Sequence, residues 1–279
     1  MTLDFDPTKA GSAPRDAATV LLVRDGGASG LEVFCVQRSQ ASSFMGGAVV
    51  FPGGKVDDAD ADPAWVERAL FPESLPEGFA RPLVVAACRE TLEEAALLSA
   101  APPVGDAEAR DAQSQSASGF AALFGGGRRL DARGFVPFAR WITPVAESRR
   151  FDARFFLAVA PAGQTGAHDT RETVRSFWAR PADVLAEFER GEVTLFPPTH
   201  RTLEILASCS NAAAAIAYAE GACLDPICPR LVPQGDTMAL VLPGDPEHDV
   251  GAPRCPGRSR FVLRAGKWLP EGAPPAGPR

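Results

Sequence analysis

The chain has 279 residues and a formal net charge of −7, with 46% apolar and 23% charged residues. That composition suits one large globular domain, or a domain with an appendage, and excludes low-complexity disorder and an electrostatic nucleic-acid binder. Glycine and proline number 26 each, above ordinary usage, which predicts loops and insertions.

In chain order, residues 1–15 are polar and read as a loose arm. Ala17 to Arg24 and Leu31 to Arg38 read as strands of a hairpin joined by DGGASG. Leu31, Val33 and Cys35 share one face of the second strand and Phe34 and Val36 the other, so both faces are expected to be covered. A Gly-broken apolar run follows, ending in Phe51-Pro52-Gly53-Gly54-Lys55. Residues 58–80 are acidic, Pro-punctuated and at best locally helical, and read as an insertion. Arg81 to Ser99 is the strongest helix signal, with Val84, Cys88 and Leu92 on one stripe and Pro82 in the first turn. Residues 100–134 read as a second insertion or a weak helix and loop. Phe135 to Pro144, Phe151 to Ala160 and Thr173 to Ala179 read as strands, and Pro181 to Arg190 and Pro198 to Cys209 as helices. The tail predicts an Ala-rich helix, about three short strands (near 237–242, 259–264 and 266–269) and a frayed Pro/Gly end.

No apolar run approaches the ~18–20 residues that a membrane span needs, and no targeting pattern is visible. A cytoplasmic location with no membrane partner is the expectation. The six cysteines form no CxxC pair and read as reduced thiols rather than a zinc site in the tail.

The chemistry concentrates in Arg89-Glu90-Thr91-Leu92-Glu93-Glu94. At 3.6 residues per turn Glu90, Glu93 and Glu94 project from one side of the helix. Three like charges there repel, and a hard divalent cation such as Mg²⁺ or Mn²⁺ would reverse the sign of that interaction. The Gly53-Gly54 turn would let backbone approach a ligand closely. A solvated helix face with internal Arg–Glu pairs is the competing account of RETLEE alone.

Taken with the glycine turn, this pattern resembles the Nudix hydrolases, whose signature runs G-x5-E-x7-R-E-U-x-E-E-x-G-U, with U apolar. Arg89, Glu90, Glu93, Glu94 and Leu97 match its second half, and Gly53-Gly54 its start. Thirty-four residues separate Gly54 from Arg89 where the signature allows thirteen. An interrupted box of this kind is similar to the branch that includes the peroxisomal coenzyme A diphosphatase. So are the neighbouring strings Phe44 to Gly54, Trp141 to Phe156, Trp178 to Leu185 and Pro197 to Leu206. The chain departs from the pattern at Thr91, in an apolar position, and at Ala96, in a glycine position. The glutamate of G-x5-E has no clear counterpart, since counting from Gly54 reaches Asp60 and counting back from Arg89 reaches Arg81. Ser43 stands where coenzyme A enzymes of this branch carry an Arg; the nearest Arg is Arg38.

The resemblance implies an α/β (α+β) fold, a Nudix α/β/α sandwich around a mixed sheet. The domain would span 16–209, with insertions at about 57–80 and 100–134, and a C-terminal extension at 210–279 would pack on it. It implies a Mg²⁺- or Mn²⁺-dependent hydrolase that cleaves the diphosphate of a small-molecule nucleotide conjugate, foremost coenzyme A or acyl-coenzyme A. Alternatives are an ADP-ribose or nucleotide-sugar diphosphatase and a weakly catalytic ligand-binding or regulatory protein; a homodimer stays open. The implied metal ligands are Glu90 and Glu94 with Glu93, which could also be a base. Arg89 would orient a carboxylate. Glu172, in the loop holding His168 and Asp169, is a further catalytic candidate. Gly53, Gly54 and Arg38 would meet substrate, and Arg149 and Arg150 could meet a phosphate. His200 and His248 read as packing or capping residues.

Overall fold

The computed structural model describes residues 12–39, 47–115, 119–168 and 173–273. Strands β1 (Arg15–Asp25) and β2 (Leu31–Arg38) form the expected hairpin, with Val23 opposite Val33 and Asp25 opposite Leu31. Their alternation serves two cores at once. Leu21, Val23, Leu31, Val33 and Cys35 enter one, and Val20, Leu22, Phe34 and Val36 enter the other. Short strands β3 (Val49–Val50) and β4 (Gly53–Lys55) pair with β2 and β1 respectively.

After β4 the chain makes a 3-10 turn (Asp58–Ala61), a short helix α1 (Trp65–Arg68) and strand β5 (Ala69–Leu70) before entering α2 (Arg81–Ala95). Helix α2 ends four residues before Ser99, because Ala96 adopts a left-handed conformation with φ 50°. The following segment is more structured than a plain loop. It contains β6 (Ala100–Ala101), α3 (Asp106–Gln115) and β7 (Arg129–Asp131), and β7 joins β5 and β6 in a three-stranded sheet. Trp65, Phe120 and Phe124 pack edge-on or tilted at 5.1–5.8 Å between centroids, tying the two insertions together.

Strands β8 (Val136–Ile142), β9 (Phe151–Val159) and β10 (Thr173–Ala179) complete a seven-stranded sheet of order β10-β2-β1-β9-β8. The β1–β9 pair is parallel and the others antiparallel, so the sheet is mixed. Helix α2 and the insertions cover one face. Helices α4 (Pro181–Arg190), α5 (Pro197–Ala207) and α6 (Ala212–Glu220) cover the other. The α/β/α sandwich is therefore the fold. His200 is buried between the Phe188 and Phe261 rings, and the His248 imidazole accepts from Val250 N at 2.9 Å.

The tail adds a four-stranded antiparallel sheet: β11 (Arg230–Gln234), β12 (Thr237–Val241), β13 (Arg260–Arg264) and β14 (Lys267–Glu271). Strand β11 is one more than the sequence pattern announced; exposed Pro233, atypical of a strand interior, hides it. Leu240 and Phe261 face the main domain, while Ala239, Val241 and Val262 form a small core of their own. The connection 242–259 is held by Arg260, 1% exposed, which donates twice to Asp245 (3.0 and 2.6 Å) and once to Gln234. Ile227 adds a rung to the β8 edge, its N–H donating to Arg140 O at 2.7 Å and its carbonyl accepting from Ile142 N at 2.9 Å. The six cysteines are all free, and among the described residues no cluster of three His, Cys, Asp or Glu side chains forms a ready-made metal site.

Candidate active site

Helix α2 starts at Arg81 with Pro82 in its first turn and lays an apolar face on β1 and β4. Thr91 is tolerated at an apolar position because its hydroxyl donates to Ala87 O at 2.7 Å, which leaves no buried donor unmet. Ala96 carries the helix into its left-handed cap without glycine, at a cost of about 1 kcal/mol. The loop around Gly166 packs against that cap. Ala167 N donates to Ala95 O at 2.7 Å, and the neighbouring Gly166 (φ 78°) lies so close to the Phe34 ring that a Cβ there would collide. Gln164, buried, bonds Leu98 N, Leu98 O and Val104 O, and so fixes this loop against the helix end.

Arg89 organises the acidic side of the helix. Its Nε and Nη2 donate to the two oxygens of Asp60, both at 2.9 Å, in a bidentate pair. Nη2 also donates to Lys55 O at 2.9 Å. Nη1 donates to Glu90 Oε1 at 2.8 Å and to Glu93 Oε2 at 3.1 Å. Asp60 is 3% exposed and also accepts from Asp57 N at 2.8 Å. Asp60, at the G-x5 spacing from Gly54, thus partners the Arg of the box. The interruption consequently lies after it, between 61 and 80. Sequence reasoning left the position open because the count from Gly54 reaches Asp60 while the count back from Arg89 reaches Arg81; the contact with Arg89 decides for Asp60.

The electrostatics follow from burial. Burial opposes the charge on Arg89, but Asp60, Glu90 and Glu93 outweigh it and hold the guanidinium firmly protonated. Burial pushes the Glu90 carboxyl up to about 7, against the pull of Arg89. Glu93, half-buried, is raised for the same reason. Glu94, buried, accepts from Gly53 N at 2.9 Å through Oε2, while its Oε1 lies 3.9 Å from Arg38 Nη1. The two glycines of β4 are dictated by this packing. A Cβ on Gly54 would fall on the Glu90 carboxylate, and one on Gly53 on the Ala18 carbonyl.

These groups line one cavity of about 860 Å³. Glu90, Glu93, Glu94, Arg38, Gly53 and Gly54 line it together, so the structure brings those candidates to one place. Arg149 and His168 line it as well. Arg150 is used structurally, donating to Thr143 O and Ser12 O. Glu172, Asp169 and Ser43 lie outside the described residues. Sequence reasoning missed much of the lining, including Glu147, buried in the β8–β9 connection, Gln113 from α3, Trp141 and Phe155 from the sheet, and Pro229 and Leu240 from the tail. Nothing local marks Glu147, and the tail residues read simply as strand and loop.

As a donor set, Glu90, Glu93 and Glu94 are hard oxygens on one cavity wall, with one carboxyl held at about 7 by burial. That chemistry fits Mg²⁺ or Mn²⁺ and would not suit a soft metal.

No family model matches the chain. Over 276 residues it is 26% identical to the acyl-coenzyme A diphosphatase NUDT19 of Homo sapiens, covering 78% of this chain and 72% of that protein. With the protein of the same name from Gallus gallus it shares 26% identity over 299 residues, 83% of this chain and 79% of the relative. The crystal structure of a Nudix hydrolase from Alicyclobacillus acidocaldarius superposes with a TM-score of 0.65 at 30% identity, over 74% of this chain and 96% of that one. The sandwich, the interrupted box closed by Asp60 and Arg89, and this likeness over nearly the whole of a solved relative lead to one conclusion: the chain belongs to the Nudix hydrolases.

Proposed function

We propose that the protein is a divalent-cation-dependent diphosphatase that cleaves the diphosphate of coenzyme A or acyl-coenzyme A, releasing 3′,5′-ADP and a phosphopantetheine. The observation that carries this reading is the carboxylate wall of Glu90, Glu93 and Glu94, set by Arg89 and Asp60 on a cavity large enough for a nucleotide conjugate. The activity named for the human and chicken relatives supports the substrate class.

In this reading Glu90 and Glu94 would hold Mg²⁺ or Mn²⁺, and Glu93 would be a further ligand or the base that takes the proton of the attacking water. When bound, the cation would neutralise charge on the phosphoryl oxygens and lower the pKa of a water, easing its deprotonation by that base. Arg89 borders the cavity, but each of its guanidinium nitrogens donates to a protein acceptor, so its role is to position Glu90 and Glu93. Gly53 N–H keeps Glu94 turned to the cavity. Arg38 and Arg149 both line the cavity and would meet phosphate oxygens of the substrate. Glu172 remains a candidate base from the loop after His168.

The test is hydrolysis of a panel containing coenzyme A, acyl-coenzyme A, ADP-ribose and a nucleotide sugar, with Mg²⁺ or Mn²⁺, read by product mass. Recovery of 3′,5′-ADP from the coenzyme A species is expected. Glu94→Gln should lower kcat by roughly several hundredfold or more. Unchanged turnover in that variant would remove Glu94 from the ligand set, and cleavage of ADP-ribose alone would overturn the substrate class.

A further inference from the structure

The cavity has two chemically distinct sides. Gly53 and Gly54, beside the Glu94 and Glu90 carboxylates, pair with β1, β1 pairs with β9 and β9 with β8, so Trp141 stands three strands away from that edge. Ile227 bridges Trp141, Pro229 follows it, and Leu240 pairs with Leu231, so Trp141, Phe155, Pro229 and Leu240 wall the far side. Three of those four side chains have no hydrogen-bonding head. A purine needs partners along its edge, whereas an aliphatic chain needs only apolar area, so this end suits the second.

Two of its walls come from the C-terminal segment. Leu240 is 4% exposed on β12, facing the main domain opposite Phe261, and Pro229 precedes β11. Trp141 closes the far side. Behind it lies a second, far smaller void lined by Phe138, Ile205 and Tyr218, so the indole is the partition between the two.

We infer that the apolar end, closed by Leu240 and Pro229, binds the acyl chain of a thioester substrate and sets its preferred length. This rests on the coenzyme A reading above and deepens it. The diphosphate lies at the carboxylate wall and the thioester limb runs across the sheet face towards β12. Selectivity for chain length is thereby assigned to residues outside the metal helix and outside the Nudix box.

The experiment measures kcat/KM of the full chain with Mn²⁺ on coenzyme A and on its acetyl, hexanoyl, octanoyl, decanoyl and dodecanoyl thioesters. For the unaltered protein the value should climb by up to about fourfold per methylene until the end is filled, then level or fall. Leu240→Trp should move the optimum to shorter chains. Leu240→Ala and Trp141→Phe should move it to longer ones, and they carry the test if circular dichroism shows Leu240→Trp misfolded. Coenzyme A cleavage with a flat chain-length profile, or one optimum shared by all variants, would overturn the inference and leave the diphosphatase reading standing. An equal rise in KM for every substrate in Leu240→Trp would assign the end to the adenylate limb and overturn it as well. Cleavage of no coenzyme A species by the unaltered protein would overturn the reading and the inference together.

Discussion

Arg89 and Asp60 form the pair on which the carboxylate wall depends. Asp60→Asn would leave a largely buried guanidinium without its bidentate acceptor. We expect a loss of about 3 kcal/mol in urea unfolding, moderated by Glu90, Glu93 and Lys55 O, together with weaker Mn²⁺ binding by calorimetry. Stability and affinity equal to the unaltered protein would contradict this role. Glu90 supplies a second prediction. Its folded carboxyl titrates near 7, above an unfolded value near 4.5, so the folded state holds its proton more tightly. Ionisation then costs stability as pH rises from about 4.5 through 7, on the order of 1–3 kcal/mol. With chelator present, the Tm of Glu90→Gln should gain on that of the unaltered protein between pH 5 and pH 8. Added Mn²⁺ should reverse the trend at pH 8, and parallel Tm curves at all pH values would exclude it. At this scale RExxEE was legible because helical spacing alone gathers its acids. Asp60 was legible only by half: its spacing from Gly54 fits, but the interruption spoils the count back from Arg89, and the deciding contact lies 29 positions away.

Among the elements, β4 and α2 are fitted to each other through missing side chains. Gly53→Ala sets a methyl against the backbone of β1, which cannot yield without opening the β1–β4 pair, so a marked fall in Tm is expected. Gly54→Ala meets only the movable head of Glu90. That variant should melt near the normal temperature yet bind Mn²⁺ at least tenfold more weakly. Equal effects of the two substitutions in both assays would show that the turn does not shape the site. The long strands and helices were legible because their apolar periods run over seven or more residues. Strands β5 and β6, two residues each, carry no period to detect. The end of α2 was overrun because alanine at 96 gives no sign of a left-handed cap.

Across the whole molecule the tail is part of the apolar interior. Ile227, Leu240, Phe261 and Trp268 share one core with Phe188 and Leu203. A chain ended at residue 209 would expose that core, and we expect it to aggregate on size exclusion and to lose its cooperative melt. A monomeric, fully active truncation would show the tail to be an independent appendage. The sequence made the tail visible as surplus length with a helix and strands. It could not show which face of β12 meets the domain, because both faces of that strand are apolar and each serves a different core.

Leu240 also dates the cavity. It is translated 146 positions after Glu94, a delay of roughly 7–30 s at ordinary elongation rates of about 5–20 residues per second. For that interval a nascent chain owns its complete box while the apolar end is still unwalled. On the proposed reading, the capacity to hold a cation and the capacity to choose a substrate would therefore be acquired at different moments in the life of each molecule.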